Sequence, residues 1–236
     1  MTTLSGDAKA RYVRAMFGRI SARYDLMNKV MTGARDQSWR RLAVTAVAVP
    51  PGGVVLDVGT GTGDFLPLLA DAAPDARAVG LDLTFEMMDV GRPKLVPYDG
   101  RTGFVQGDAL RLPFPDNTFD GLVNGFLMRN VADLATTLAE MRRVVKPGAR
   151  VVILEITPVQ TPLWGDLFRL YFGRIVPRLG GLIAGAPDAY TYLPQSVERF
   201  VDADELKGIM TQVGLRDARY TKLMLGTVAL HIGEKA

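Results

Sequence analysis

The chain has 236 residues, 48% hydrophobic and 22% charged, with 28 basic against 25 acidic side chains and a formal net charge of +3. This is the composition of a globular protein able to bury one sizeable core, and its basic residues are scattered rather than gathered into a nucleic-acid-binding stripe. It has no cysteine, which excludes disulfides and thiolate metal sites, and its single histidine, His231, argues against a transition-metal cluster. The first ten residues lack a signal-peptide core, and no apolar run approaches the roughly twenty residues of a membrane span. The expectation is a cytoplasmic protein, peripheral to a membrane at most, with no nucleic-acid partner and no metal.

Residues 8–49 read as helical, because Val13, Met16, Phe17, Ile20, Tyr24, Met27 and Met31 recur at helical spacing and Pro50-Pro51-Gly52-Gly53 ends the segment. The apolar run Val54–Val58 reads as a strand, and a helix follows the glycines after it to about Asp71. A second strand, 78–81, ends in Asp82, and 87–92 is helical. Short strands lie at 103–106 and Phe119–Gly125, on either side of the turn Pro115-Asp116-Asn117. A helix over 132–145 stops at Lys146-Pro147-Gly148, and 150–156 is a continuous apolar strand. Such alternation predicts a parallel sheet covered on both faces. From 158 to 192 it gives way to an apolar, interrupted helical stretch carrying Leu163, Trp164, Leu167, Leu170, Tyr171, Phe172, Ile175 and Val176. A helix over 202–213 and strands at 218–222 and 227–231 complete the sheet. Without an internal repeat or low-complexity linker, 1–236 reads as one domain, with a helical N-terminal segment (1–49) and an apolar insertion (158–195).

The glycines of Asp57-Val58-Gly59-Thr60-Gly61-Thr62-Gly63-Asp64 let the backbone take positive φ and let a ligand lie against it. Asp82, about twenty residues on at the end of the next strand, has the spacing of an acid reaching a ribose in a nucleotide-binding βαβ unit. A dinucleotide would bring its pyrophosphate to the helix start, where Asp64 would repel it. The acid favours a cationic or neutral polar group, and S-adenosylmethionine carries an ammonium, a sulfonium and a ribose diol but no phosphate. A purely structural strand-to-helix turn is the alternative.

The glycine loop resembles the first motif of class I S-adenosylmethionine-dependent methyltransferases. Further segments align behind it: Tyr24-Asp25-Leu26-Met27-Asn28, Gly80-Leu81-Asp82, Gly107-Asp108-Ala109, Leu112-Pro113-Phe114-Pro115-Asp116-Asn117-Thr118-Phe119-Asp120, Met128-Arg129-Asn130-Val131, Tyr190-Thr191-Tyr192-Leu193 and Gly226-Thr227-Val228-Ala229-Leu230-His231. Together, from about residue 12 to 235, they resemble the ubiquinone/menaquinone biosynthesis C-methyltransferases, which methylate the ring of a polyprenylated quinol. The resemblance implies an α/β, Rossmann-like class I methyltransferase fold. Its seven-stranded, mostly parallel sheet would have an antiparallel C-terminal strand, helices on both faces, and a helical cover from the N-terminal segment and 160–195. It implies S-adenosylmethionine as cofactor, with Thr62 and the neighbouring Gly59 and Gly61 along the methionine moiety and Asp57 and Gly125 in the same site. Asp82 would accept from the ribose hydroxyls, Asp108 from the adenine amine, and the Ala109 amide would meet a ring nitrogen. Arg129, Asn130 and Tyr24 would form the catalytic cluster. Arginine cannot act as a base, so Arg129 would stabilise a phenolate and orient a water.

Bland readings stand beside these. Asp108 also reads as a cap before Leu110, Arg129 as a salt-bridge partner of Asp133 one turn on, and His231 as a packed structural residue rather than a base. The insertion reads either as a groove for the isoprenoid tail, touching a membrane with Trp164 and Tyr171, or as a buried helix pair or homodimer interface. The sequence departs from the usual family pattern at Phe126-Leu127-Met128, at Glu155-Ile156-Thr157-Pro158, and at Gly125, where many relatives carry serine. Demethylmenaquinol is the expected acceptor. Another small hydrophobic acceptor, methylated at carbon or oxygen, and a non-catalytic cofactor-binding scaffold remain open, whereas Asp64 disfavours a nicotinamide oxidoreductase.

Overall fold

The computed structural model describes residues 6–159, 164–184 and 186–236. Strands β1 (Val54–Val58), β2 (Arg77–Asp82), β3 (Thr102–Gln106), β4 (Phe119–Gly125), β5 (Val145–Ile156), β6 (Leu215–Leu223) and β7 (Val228–Lys235) form one sheet in the order β3-β2-β1-β4-β5-β7-β6. Strand β7 runs antiparallel to both its neighbours, and β1 to β5 pair in parallel. This is the mostly parallel sheet with an antiparallel C-terminal strand that the motifs imply. Strand order reverses between β1 and β4, so the carboxyl ends of these strands flank the crevice where open α/β sheets take ligands.

Alternation along each strand sends side chains to two cores. Leu56, Val58, Leu122, Val151 and Ile153 pack against Leu138 and Met141 of α5 (Leu134–Val144) and Leu206 and Met210 of α9 (Ala203–Gln212). Val55, Val123, Val152 and Leu154 meet Ala43 and Val47 of α2 (Asp36–Val47) and Phe65, Leu66 and Leu69 of α3 (Phe65–Ala70). Sheet strands buried on both faces explain why β1 and β5 read as unbroken apolar runs. Helix starts are chemically marked: Asp133 accepts from the Thr136 amide at 2.7 Å to open α5, and Asp202 with Glu205 forms a capping box for α9.

A third apolar cluster joins α1 (Gly6–Thr32) to the segment after β5. There, α6 (Trp164–Leu170), a wide π-helical turn (Tyr171–Ile175), α7 (Val176–Ala184) and α8 (Pro187–Glu198) bury Met16, Ile20, Met27, Phe172, Val176 and Tyr190 together. The helix expected over 8–49 is two helices, broken where Gly33 and Ala34 take positive φ. Helix α4 (Phe85–Leu95) and both terminal strands run beyond their expected ends. Leu163 and Gly185 of the apolar insertion lie outside the described residues. Among the described residues no helix is long and apolar enough to cross a membrane.

Candidate active site

Strand β1 delivers the chain into the crevice, and the backbone then turns with φ of +72° at Gly59, +56° at Gly61 and +77° at Gly63. At Gly59 a Cβ would also stand 2.8 Å from Leu127, so conformation and space both require glycine. Asp82, at the end of β2, accepts from the Gly61 and Thr84 amides, each at 2.8 Å. Its burial raises its pKa against the pull of those amides. Asp82, Gly59, Gly61, Asp108, Ala109 and Gly125 line one cavity of about 100 Å³. Asp108 accepts from the Leu110 amide at 2.9 Å, so it caps a turn while facing the cavity; no helix follows it. Gly125 is closely packed, since a Cβ there would lie 2.7 Å from the Phe65 ring and 3.3 Å from the Arg40 guanidinium. A serine at this position would have to displace the Phe65 ring.

Asp57 and Thr62 stand behind the loop rather than along the cavity. Asp57 is wholly buried; its Oδ2 accepts from Thr60 Oγ1 at 2.6 Å, while its Oδ1 has no partner. Burial pushes its pKa up to about 7, with Thr60 and Arg40 opposing. Thr62 donates to Asp25 at 2.6 Å and accepts from Lys94 at 2.9 Å. Asp64, read from the sequence as an acid awaiting a cationic ligand, is neutralised from within. Lys94 lies 2.6 Å and Arg40 3.6 Å away. Burial alone would raise the Asp64 pKa, but these two cations hold it below the usual carboxylate range.

A larger cavity of about 770 Å³ opens beneath the helical cover, walled by residues such as Ile20, Met31, Phe168, Phe172, Ala189 and Leu193. Phe17, Tyr24, Phe126 and Asn130 line both this cavity and the smaller one, so the two spaces meet at these side chains. Asn130 accepts from the Tyr192 hydroxyl at 3.2 Å and donates to the Phe126 carbonyl at 3.3 Å. Tyr24 has its pKa raised by burial and keeps its phenolic proton at neutral pH. Arg129 is buried, and its Nη1 donates to Glu155 at 2.5 Å and to the Phe126 carbonyl at 2.7 Å. The Nε of Arg129 has no partner. The salt bridge to Asp133 is absent because Asp133 caps α5 instead. Arg129 and Tyr192 also border a groove of about 900 Å³ between α1 and α8.

Glu155, Arg40, Lys94 and Asp25 were not among the residues singled out from sequence. An acid ending an apolar strand, the same signal that marks Asp82, could have drawn attention to Glu155. Trp164 and Tyr171 of the apolar insertion line the large cavity, where Tyr171 donates to the Met31 carbonyl at 3.2 Å. His231 lies beneath α9 with Nε2 2.9 Å from the Ala203 carbonyl, lines none of the three cavities, and has its pKa lowered by burial. The geometry therefore places it as a structural residue.

Sheet order, glycine loop and strand-end acids together define the class I methyltransferase fold. A SAM dependent methyltransferase from Aquifex aeolicus shares it, with a TM-score of 0.65 at 19% identity over 90% of this chain and 98% of that one. The sequence narrows the class further: the sequence model of the ubiE/COQ5 methyltransferase family matches residues 5–235, and the chain belongs to that family. It is 46% identical over 229 residues to a demethylmenaquinone methyltransferase of Roseiflexus castenholzii, covering 97% of this chain and 95% of the relative. Identity to a ubiquinone/menaquinone biosynthesis C-methyltransferase UbiE of Geobacter sp. strain M21 is 40% over 230 residues, covering 96% and 97%.

Proposed function

We propose that the enzyme transfers a methyl group from S-adenosylmethionine to a ring carbon of a polyprenylated quinol, converting demethylmenaquinol to menaquinol. The observation that carries this reading is that a small cavity holding the glycine loop, Asp82 and Asp108 shares Tyr24 and Asn130 as wall residues with a large apolar one. One space suits a nucleoside, the other a ring with a long hydrocarbon tail, and the reaction needs their contents in contact. The residues present fit the cofactor. The glycine loop leaves no Cβ in its path, and Asp82 and Asp108 are acceptors for ribose and amine. S-adenosylmethionine supplies an electrophilic methyl on a sulfonium.

The remaining work falls to this chain's residues. Ionising a quinol hydroxyl drives electron density onto the adjacent ring carbon. Arg129, held by Glu155 and with Nε–H still unpaired, is placed to stabilise the resulting oxyanion. Asn130 and Tyr24 position the ring at the junction, and Phe17 and Phe126 exclude water from it. The rim of the apolar cavity is itself apolar: Val30, Leu167, Leu170, Ile175 and Leu225 line it while remaining exposed, and Arg174 and Arg178 lie on the same helical cover. Such a rim suits docking on an anionic bilayer from which the tail slides in. A homodimer is compatible with the same exposed face.

Separate binding measurements test the two-cavity reading. Ala189→Phe, which fills the apolar cavity, should abolish binding of the oxidised quinone while leaving S-adenosylmethionine affinity within about twofold of the unmodified protein. Equal loss of both ligands, or of neither, would contradict it.

A further inference from the structure

Proton removal needs a group that rests without its proton, and neither Arg129 nor the residues shared by the two cavities supply one. Arg129 is a cation, Asn130 does not titrate, and burial raises the pKa of both Tyr24 and Tyr190, the latter to about 12. His231 is elsewhere, and Glu155 is wholly buried behind Arg129 and lines none of the cavities. Among the described residues lining the apolar cavity, Asp36 is the sole carboxylate.

Asp36 is the first residue of α2 and only 2% exposed. Its Oδ1 accepts from Thr32 Oγ1 at 3.1 Å, and its Oδ2 meets Gln37 Nε2 at 3.5 Å and Arg40 Nε at 3.9 Å. These contacts are loose for a buried carboxylate, and Arg40 Nε is itself without a hydrogen-bond partner. The same guanidinium sits 5.6 Å from the centroid of Phe126, a ring at the junction of the two cavities. The Phe126 carbonyl in turn receives both Arg129 and Asn130. Asp36 therefore lines the apolar cavity, with the Arg40 side chain standing between it and Phe126 at the junction.

We infer that Asp36 is the proton acceptor for the quinol hydroxyl, directly or through one water. The O–H bond breaks, its electron pair stays on oxygen beside Arg129, and the proton passes to the Asp36 carboxylate. The ring carbon then forms its bond to the methyl group as the carbon–sulfur bond of the donor breaks, with that electron pair remaining on sulfur. The hydrogen on the methylated carbon leaves as a proton to water, restoring aromaticity, and the ring oxygen recovers its proton from Asp36. One proton is released per turnover and the carboxylate is regenerated.

This role rests on the quinol reading, and one experiment separates the two. The full chain, Asp36→Asn and Asp36→Ser (which keeps a first-turn hydroxyl for the helix start) are assayed with S-adenosylmethionine and two naphthoquinols, one carrying a halogen that makes its hydroxyl more acidic. Calorimetry on the cofactor and on the unreactive quinone, with thermal melting, accompanies the kinetics. Both variants should lose roughly 10²–10⁴-fold in kcat. KM and both ligand affinities should stay close to the full chain's, the melting curve serving to show that both variants are folded at the assay temperature, and the loss should shrink with the more acidic quinol. A kcat within a few-fold of the full chain, a change confined to KM, or a loss indifferent to quinol acidity would overturn the assignment. Absence of turnover by the full chain itself would overturn the quinol reading, and Asp36 with it.

Discussion

Arg129 and Glu155 form a buried ion pair 2.5 Å apart at the carboxyl end of the sheet, a geometry that makes single substitutions ambiguous. Removing one partner leaves the other charge uncompensated, which costs about 3–5 kcal/mol. Arg129→Ala should therefore lose stability as well as turnover. Arg129→Ala combined with Glu155→Gln should recover most of the melting temperature and none of the kcat; joint recovery of both would reduce Arg129 to a structural part. Asp57 offers a pH-dependent counterpart. Its folded pKa of about 7 lies above the ordinary aspartate value, so the folded state holds that proton more tightly. The stability this contributes is present below about pH 4 and is lost as pH rises towards 7. Asp57→Asn should match the natural protein near pH 4 and melt higher at pH 8, by roughly 2–4 °C per kcal/mol recovered. A melting difference that does not depend on pH would contradict the buried-carboxylate account. At this scale the glycine loop and Asp82 were legible because a strand, a turn and an acid follow one another in the chain, whereas Asp108 and Ala109 came from the family resemblance. The partners of Asp64 were not, since Arg40 and Lys94 come from separate helices and meet only when the sheet and its layers assemble.

Helix α1 is fastened near both ends over the smaller cavity. Near its start, Lys9 donates to the Arg129 and Val131 carbonyls at 3.0 and 2.7 Å; further along, Asp25 receives Lys94 and Thr62, each at 2.6 Å. The space of about 100 Å³ is below the roughly 300 Å³ at which small-molecule sites begin, so an outward shift of the helix is the expected response to cofactor binding. Lys94→Met cuts the tie between α1, α4 and the glycine loop. Amides over 6–32 should then exchange hydrogen faster in the free protein, and cofactor association should quicken; unchanged exchange would mean that apolar packing alone holds the helix. Periodicity revealed α1, α5 and α9 because their buried positions recur every three or four residues. It concealed the break at Gly33 and Ala34, where backbone conformation rather than polarity ends the helix, and the π-helical turn at Tyr171–Ile175, which no change in polarity marks off from the α-helices on either side.

For the whole molecule, the sheet order brings the glycine loop, the Arg129 segment and the end of β5 to one edge, and the helical cover closes over them. The resemblance carried this architecture from the motifs; the division of the crevice into two cavities became visible only with α1 and α8 in place. Leu225, 70% exposed in the β6–β7 turn, and Leu167, 55% exposed on α6, mark the open rim of the apolar cavity. Leu167→Glu with Leu225→Glu should reduce co-flotation with anionic vesicles and raise KM for a long-tailed quinol, while a short-tailed, water-soluble quinol is methylated as before. Equal effects on both acceptors would place these residues in ring binding instead. The most direct test of the account is incubation with labelled S-adenosylmethionine and reduced demethylmenaquinone, in parallel with a demethylated ubiquinone precursor, with mass spectrometry of the extracted lipids. The account predicts one labelled methyl on the naphthoquinol ring carbon; cofactor binding without label on that ring would contradict it.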